Sequence, residues 1–137
     1  MLVVGGAGYV GGHVADRLVT AGHQVVVYDL LLYEDVYFKP IEFVYGDVLD
    51  EERLRPYIEW ADVVVWLAAL VGDGACSLDE ELTTRINVDA VRWLTSVCSA
   101  KIVFMSTCSV YGAQDGWLLA DSFLDRVGVA VLDRRLR

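Results

Sequence analysis

The sequence has few of the residues that build covalent or metal-based scaffolds. It contains two prolines, three cysteines and two histidines in 137 residues. The cysteines, at positions Cys76, Cys98 and Cys108, are odd in number and their spacings match no metal-binding pattern. We therefore expect neither a disulfide framework nor a metal site, and we predict buried or half-buried thiols in a reducing compartment.

Positive charge is also scarce. Lys and Arg total 11 against 20 Asp and Glu, so the net charge is −9, which argues against a nucleic-acid partner because phosphate contacts need a basic face. No apolar run is long enough to span a bilayer, and no signal peptide precedes the first predicted strand. We expect a soluble cytoplasmic protein with no membrane partner, folded as one domain over residues 1–137.

The first dozen residues carry the clearest pattern. A short apolar strand, Met1–Val4, runs into glycines at Gly5, Gly8 and Gly11, and a helical apolar pattern follows to about Ala21. Such a turn between strand and helix binds phosphates: the first glycine allows the sharp turn, the second lets a pyrophosphate approach, and the third lets the helix pack closely. The helix N-terminus adds unpaired N–H groups and a positive dipole end.

A carboxylate at the end of the second predicted strand indicates that the bound ligand is a dinucleotide. Asp29 lies 18 residues after Gly11, where an adenosine ribose would present its hydroxyls. Asp29 would repel the 2′-phosphate of NADP, and the following residues, Leu30–Leu32, supply no cation to accept it. The sequence therefore predicts NAD in preference to NADP.

The remaining pattern alternates strands and helices, which predicts an α/β fold with a doubly wound parallel sheet in strand order 3-2-1-4-5. The predicted strands are Met1–Val4, Gln24–Tyr28, Ile41–Tyr45, Ala61–Leu67 and Lys101–Met105. Helices are predicted from about Gly11, from Glu51 and over about Leu78–Ser99. Ligands of such a sheet bind beyond the C-terminal strand ends, near the switch between strands one and four.

Several local signals set the expected helix boundaries. Gly22 stops the first helix, Asp50 caps the second, and Pro56 should shorten or kink it. Residues Ala68–Cys76 should form a loop, and the capping-box pattern Ser77–Glu80 should open the long helix. The apolar run Val127–Leu132 fits either a strand or the start of a helix.

Five segments together resemble the extended short-chain dehydrogenases/reductases, the NAD-dependent nucleotide-sugar epimerases and dehydratases. The segments are Gly5-Gly-Ala-Gly-Tyr-Val-Gly11, Gly46-Asp-Val48, Leu67-Ala-Ala69, Ile86-Asn-Val88 and Ser106-Thr-Cys-Ser-Val-Tyr-Gly112. The resemblance covers Met1 to about Ser122 and implies a Rossmann-type NAD-binding fold. It also implies that the family's C-terminal substrate lobe is missing from this chain.

The resemblance assigns roles to individual residues. Cofactor-binding residues are Gly5, Gly8, Tyr9, Val10, Gly11, Asp29, Asp47, Val48, Leu67, Ala68 and Ala69. Asp47 would accept a hydrogen bond from the adenine amino group and Val48 would cover the ring. Thr107, the one catalytic candidate, would hydrogen-bond the reacting sugar hydroxyl.

The sequence departs from the family at its catalytic pair, a Tyr base with a Lys four residues later. No Tyr follows Tyr111 and no Lys follows Lys101. By spacing, these positions fall near Ala130 and Arg134, and alanine has no titratable group. The resemblance thus implies NAD binding without turnover by this chain alone.

Other functions stay open. The chain fits a degenerate NAD-binding module that regulates or binds a partner, a reductase of the same superfamily acting on a non-sugar substrate, or a fragment that binds nothing tightly. In the family the helix corresponding to Leu78–Ser99, which here carries Trp93, helps form a dimer interface. The resemblance therefore implies self-association and, in the full-length family, a nucleotide-sugar substrate.

Overall fold

A computed structural model describes residues 1–33, 35–105 and 129–132. Within them, six strands form one sheet in the order β3-β2-β1-β4-β5-β6. The strands are β1 Leu2–Val4, β2 Val26–Asp29, β3 Glu42–Tyr45, β4 Val63–Trp66, β5 Lys101–Met105 and β6 Val129–Leu132. The first five are parallel, so the predicted order 3-2-1-4-5 is confirmed. β6 pairs antiparallel with β5, which decides the open reading of Val127–Leu132 in favour of a strand.

Helices lie in the connections between the parallel strands, except between β2 and β3, where the described residues contain none. They are α1 Tyr9–Thr20, α2 Glu51–Trp60, α3 Asp73–Leu78, α4 Glu80–Thr84 and α5 Ala90–Val97, and a π-helical turn, Arg85–Asp89, joins α4 to α5. Gly22 follows α1 with φ +85°, the left-handed conformation expected of a residue just beyond a helix. Asp50 caps α2 as predicted, because its Oδ1 accepts a hydrogen bond from the Arg53 amide at 3.1 Å.

The two faces of the sheet have separate apolar cores, because side chains alternate along each strand. On one face Tyr28 and Trp66, the largest fully buried side chains, pack in the cluster that includes Leu54 of α2 and Leu94 of α5. On the other face the central valines of β1, β2 and β4 pack with Ala15 of α1. Both cores fix the strands, and hence the positions of the loops that leave their C-terminal ends.

Three local predictions are corrected by the structure. Of the two effects predicted for Pro56, shortening does not occur, since α2 continues through it to Trp60. The carbonyl that lacks its helical partner belongs to Glu52, an exposed residue in the first turn whose carbonyl water can reach, while Leu54 and Ile58 anchor the helix in the core.

The segment predicted as a loop, Ala68–Cys76, contains the start of α3 at Asp73. The cap of the long helical segment is Asp79 and not Ser77: Asp79 Oδ1 accepts from the Leu82 amide at 2.8 Å, whereas the Ser77 hydroxyl donates to the Gly74 carbonyl. An aspartate directly before the first helical residue is as good an N-cap as serine, so the pattern placed the helix start correctly to within two residues but named the wrong side chain.

Candidate cofactor site

The glycine turn after β1 has the geometry that the sequence predicts. Gly5 has φ +81°, and a Cβ there would lie 2.5 Å from the Ala68 nitrogen. A Cβ on Gly11 would overlap the Gly5 carbonyl oxygen and lie 2.6 Å from the Gly6 Cα. The fold itself therefore excludes a larger side chain at both positions. Gly5 has a positive φ and lies close to the loop after β4, and Gly11 lies where α1 packs on the turn.

Gly8 differs from these two glycines because the space beside it is open. Among the described residues, a Cβ at Gly8 would have only the Gly5 carbonyl oxygen nearby, at 3.6 Å, and the φ of −68° at Gly8 suits any residue. Gly8 is the N-cap of α1, and no side chain caps the helix there. The first turn of α1 contains no acidic residue, so no carboxylate there offsets the unpaired N–H groups and the positive dipole end, which favour an anion.

Asp29 ties the end of β2 to the glycine turn. Its Oδ2 accepts a hydrogen bond from the Ala7 amide at 3.0 Å, and its Oδ1 accepts one from the Leu31 amide at 2.8 Å. Leu31 has φ +53°, a conformation that costs energy for a side chain of this size. Each carboxylate oxygen has a second lone pair, so the same group remains able to accept from two ribose hydroxyls.

The turn after β3 accepts a hydrogen bond from a buried tyrosine. The Tyr28 hydroxyl donates to the Asp47 carbonyl at 3.0 Å, and Asp47 Oδ1 accepts from the Leu49 amide at 2.9 Å. Burial, with added repulsion from Asp50 and Asp47, raises the pKa of Tyr28 to about 12. Val48, which follows in the turn, is 9% exposed.

The loop after β4 is fixed at both of its ends. The Leu67 and Ala68 amides donate to the Val4 carbonyl at 2.8 and 3.1 Å, which ties the loop to β1. Leu70 donates its amide to Asn87 Oδ1 at 2.9 Å and accepts from Asn87 Nδ2 at 2.8 Å. Asn87 lies in the π-helical turn, and a π-helical turn within a helix is frequently found at functional sites.

The loops after β1, β2, β3 and β4 enclose a cleft of about 290 Å³ at the C-terminal ends of these strands. Nine of the residues predicted to bind the cofactor line it: Gly5, Gly8, Tyr9, Asp29, Asp47, Val48, Leu67, Ala68 and Ala69. Two do not: Val10 is an exposed residue of α1, and Gly11 is buried behind the turn. Thr107, Cys108 and the segment Ser106–Gly112 lie outside the described residues.

Although Ala7, Gly46 and Ile86 lie within the family motifs, the sequence predicts no cofactor-binding role for several residues that line the cleft. They are Ala7, Tyr28, the segment Leu30–Tyr33, Gly46, Leu70 and Ile86. For most of these residues the available signal is their position, because they lie next to a predicted site residue in the sequence or in the same turn. Tyr28 had a further signal, because alternation along β2 directs it to the same face as Val26.

Within residues 1–33, 35–105 and 129–132, no group of three or more His, Cys, Asp or Glu side chains is arranged to hold a metal ion. Within the same residues, no helix has the length and apolar character needed to cross a membrane. Cys76 is half-buried and Cys98 buried, as predicted for these two thiols.

This fold, with its cleft at the C-terminal edge of a doubly wound sheet, is a Rossmann-type domain. The chain belongs to the NAD-dependent epimerase/dehydratase family, whose family model matches residues 1–124. The family resemblance and the fold class predicted from the sequence are thereby confirmed.

Similar proteins include nucleotide-sugar enzymes. UDP-glucose 4-epimerase of Rhizobium meliloti is 34% identical over 122 residues, which are 84% of this chain and 37% of that protein. D-erythronate dehydrogenase of Cupriavidus necator is 28% identical over 130 residues, 83% of this chain and 40% of that protein.

A crystal structure of UDP-glucose 4-epimerase from Brucella ovis in complex with NAD is similar with a TM-score of 0.75 and 34% identity, over 84% of this chain and 38% of that one. The prediction of NAD as the cofactor is thus confirmed at the level of the family. The chain spans 37 to 40% of the length of these three proteins.

Proposed function

We propose that the cleft binds NAD, with the pyrophosphate at the start of α1 and the adenosine between β2 and the turn after β3. The observation that carries this proposal is the open space beside Gly8. The fold needs a glycine at Gly5 and at Gly11 but not at Gly8. Within the described chain, no side chain caps the helix. An anionic ligand explains both features, because a pyrophosphate would use the same space and the same N–H groups.

The lining residues suit the parts of the dinucleotide. The Tyr9 and Val10 amides, in the first turn of α1, would donate to the pyrophosphate, and Asp29 would accept from the adenosine ribose. Asp47 would accept from the adenine amino group while Val48 covers the ring. The small residues Ala68 and Ala69 leave room for the pyrophosphate and the nicotinamide ribose. When bound, NAD supplies a hydride acceptor, and these residues bind and orient it.

We infer that residues 1–137 form the NAD-binding domain of a nucleotide-sugar epimerase or dehydratase and do not turn over a substrate alone. The sequence supports this, since a general base must lie within hydrogen-bond reach of the substrate hydroxyl and no Tyr follows Tyr111. Thr107 would bond the reacting hydroxyl, but a threonine hydroxyl is no base at neutral pH. The predicted location in the cytoplasm stays a prediction.

A second candidate is a dehydrogenase acting on a substrate other than a nucleotide sugar. The similarity to D-erythronate dehydrogenase favours it. A binding module that regulates a partner is the third possibility, and it shares the NAD site with the first two. Titration with the dinucleotide therefore tests the cofactor site, and turnover assays separate the enzymes from the module.

Isothermal titration of the purified chain with NAD and NADP tests the cofactor site. We expect NAD to bind more tightly, because Asp29 would repel a 2′-phosphate. Asp29→Ala should weaken NAD binding and narrow the difference in affinity between NAD and NADP. Asp35→Ala, which removes an exposed carboxylate from the loop after β2, should change neither the affinity for NAD nor that difference. Equal affinity of the parent chain for both dinucleotides would contradict the role of Asp29, and no binding of either would contradict the cleft.

Incubation with NAD and a panel of nucleotide sugars, and separately with D-erythronate, tests turnover. We expect neither product nor reduced cofactor at its absorbance band, because loss of a general base costs about 10²- to 10⁴-fold in rate. Product formation that is lost in a Thr107→Ala variant would overturn the inference of inactivity.

We also propose that the chain self-associates. Exposed apolar side chains cluster after β2, at Leu32, Tyr33, Val36 and Phe38, and patches of this kind favour association. Trp93 offers less support than the sequence suggested, because the Arg55 guanidinium lies 5.5 Å from its ring centroid within the same chain. Sedimentation at high concentration should show dimers or larger species, and a strictly monomeric profile would contradict the proposal.

A further inference from the structure

The hydroxyl of Tyr28 makes its hydrogen bond at the edge of the cleft, although its side chain is fully buried. Tyr28 is 0% exposed, and its hydroxyl donates to the Asp47 carbonyl in the turn after β3 at 3.0 Å. The ring passes under Gly46 so closely that a Cβ there would overlap the phenol oxygen and lie 2.8 Å from Cε2. Only glycine fits above this ring, so the turn and the tyrosine are matched to each other.

The contacts around Asp47 fix both its backbone and half of its carboxylate. The Asp47 carbonyl accepts from the Tyr28 hydroxyl and also from the Asp50 amide at 3.1 Å, and the Gly46 amide donates to the Asp29 carbonyl at 3.0 Å. Oδ1 of Asp47 accepts from the Leu49 amide. Oδ2 has no hydrogen bond within the described residues, and Asp47 lines the cleft.

We propose that Tyr28 is a positioning residue for base recognition: its hydroxyl holds the Asp47 backbone so that the free carboxylate oxygen meets the exocyclic amino group of adenine. This inference rests on the proposed contact between Asp47 and adenine. Tyr28 lines the cleft, but its hydroxyl donates to the Asp47 carbonyl, so in this scheme it acts on base recognition through the turn. Because the pKa of Tyr28 is raised by burial, the hydroxyl keeps its proton and remains a donor over the neutral range.

The consequence is a preference between bases and not only a gain in affinity. Hypoxanthine has a carbonyl oxygen where adenine has its amino group, and a carbonyl oxygen repels a carboxylate. A hydrogen bond to a charged acceptor contributes enough to give a preference of about 10-fold or more for adenine. If the turn loses its support from Tyr28, the carboxylate is free to move away and the preference should narrow.

The test is calorimetric titration with NAD and with nicotinamide hypoxanthine dinucleotide. The variants are Tyr28→Phe, which removes one oxygen atom, and Tyr57→Phe, the matched control. Tyr57 packs beside Tyr28 with ring centroids 5.9 Å apart but does not line the cleft. We expect the parent and Tyr57→Phe to prefer NAD and Tyr28→Phe to lose most of that preference. Incorporation of 4-fluorophenylalanine at position 28 fills the space of the hydroxyl without donating, so it gives the same readout if Tyr28→Phe does not fold.

Each outcome decides one claim. Equal binding of the two dinucleotides by the parent chain would overturn the contact between Asp47 and adenine, and with it the basis of the inference. A parent preference that survives unchanged in Tyr28→Phe or in the fluorinated chain would overturn the positioning role alone. A merely structural tyrosine would weaken both dinucleotides by the same factor. Rescue of the preference by 4-aminophenylalanine, which restores an N–H donor at position 28, would support the role of the hydrogen bond.

Discussion

Three glycines of the turn after β1 are required for different physical reasons. Gly5 has a positive φ, and a Cβ on Gly11 would overlap the turn, so a substitution at either position strains the fold. Gly8 has an ordinary φ and open space beside it. A substitution at Gly8 therefore tests the ligand site without disturbing the fold.

Gly8→Val should abolish NAD binding while the protein stays folded. The branched side chain would fill the space that we assign to the pyrophosphate, while its Cβ would lie 3.6 Å from the Gly5 carbonyl oxygen, the nearest atom among the described residues. Isothermal titration with NAD measures the loss, and thermal unfolding checks the fold. Gly74→Val is the control, since among the described residues a Cβ at Gly74 meets nothing within 4 Å and Gly74 does not line the cleft. If Gly8→Val binds NAD like the parent, the pyrophosphate lies elsewhere.

Residue roles set by local backbone geometry were predictable, whereas roles set by distant partners were not. The demands on Gly5 and Gly11 follow from a strand that turns directly into a helix. The bond from the Ala7 amide to Asp29 joins residues 22 positions apart, and nothing in either segment indicates that the carboxylate also holds the glycine turn. The hydroxyl of Tyr28 is a similar case, because its acceptor lies 19 residues away.

At the scale of elements, the π-helical turn couples the long helical segment to the loop after β4. The Ala90 amide donates to the Arg85 carbonyl, five residues back. Asn87, within this turn, holds the Leu70 backbone by two hydrogen bonds. Since Leu67–Leu70 line the cleft, the position of this loop depends on the helix.

Asn87→Ala should loosen the loop after β4. It removes two neutral hydrogen bonds to the Leu70 backbone, at a cost of about 1 kcal/mol each in unfolding free energy. We expect faster hydrogen exchange at the Leu70 amide and weaker NAD binding. Thr84→Ala is the control, because the Thr84 hydroxyl is exposed and donates only to the Glu80 carbonyl of its own helix. Unchanged exchange at Leu70 would show that Asn87 does not hold the loop.

Element boundaries show which local signals are sufficient. The predicted bounds of the strand Lys101–Met105 are the observed ones, since the apolar run Ile102–Met105 ends where the polar sequence from Ser106 begins. The sequence does not predict helix α3, because Gly72 and Gly74 favour a loop. A six-residue helix that follows Gly72 and contains Gly74 has too little apolar periodicity to detect. The π-helical turn was missed because residues spaced by four, such as Ile86 and Ala90, fit an ordinary helix equally well.

At the scale of the whole molecule, the two cores differ in what they contain. The larger one places Tyr28 and Trp66, both fully buried, beneath the loops that form the cleft. The alternation of strand residues and the strand order predict which positions are buried, and they are the part of the fold most directly encoded in the sequence. Because a phenol is buried in that core, the free energy of unfolding should also depend on pH in the alkaline range.

The free energy of unfolding should fall between about pH 10 and pH 12 because of Tyr28. An unfolded tyrosine titrates near pH 10, and the pKa of Tyr28 in the folded chain is about 12. Between these values the folded state keeps a proton that the unfolded state releases, so the stabilisation is complete below pH 10 and is lost as the pH rises. Two pKa units correspond to about 2 to 3 kcal/mol. Burial also raises the pKa of Tyr37, which adds a loss in the same direction.

Urea unfolding from pH 8 to pH 11.5 measures this dependence. Tyr28→Phe should be less stable at pH 8, because the Asp47 carbonyl loses a hydrogen bond, but its stability should fall less steeply above pH 10. Tyr57→Phe should keep the steep fall of the parent. Self-repulsion of an acidic chain also grows with pH, yet it acts on all three proteins alike, so the difference in slope isolates Tyr28. Equal slopes for Tyr28→Phe and the parent would mean that this phenol ionises in the folded chain as readily as in the unfolded one, and hence that it is not the buried donor that holds the turn after β3.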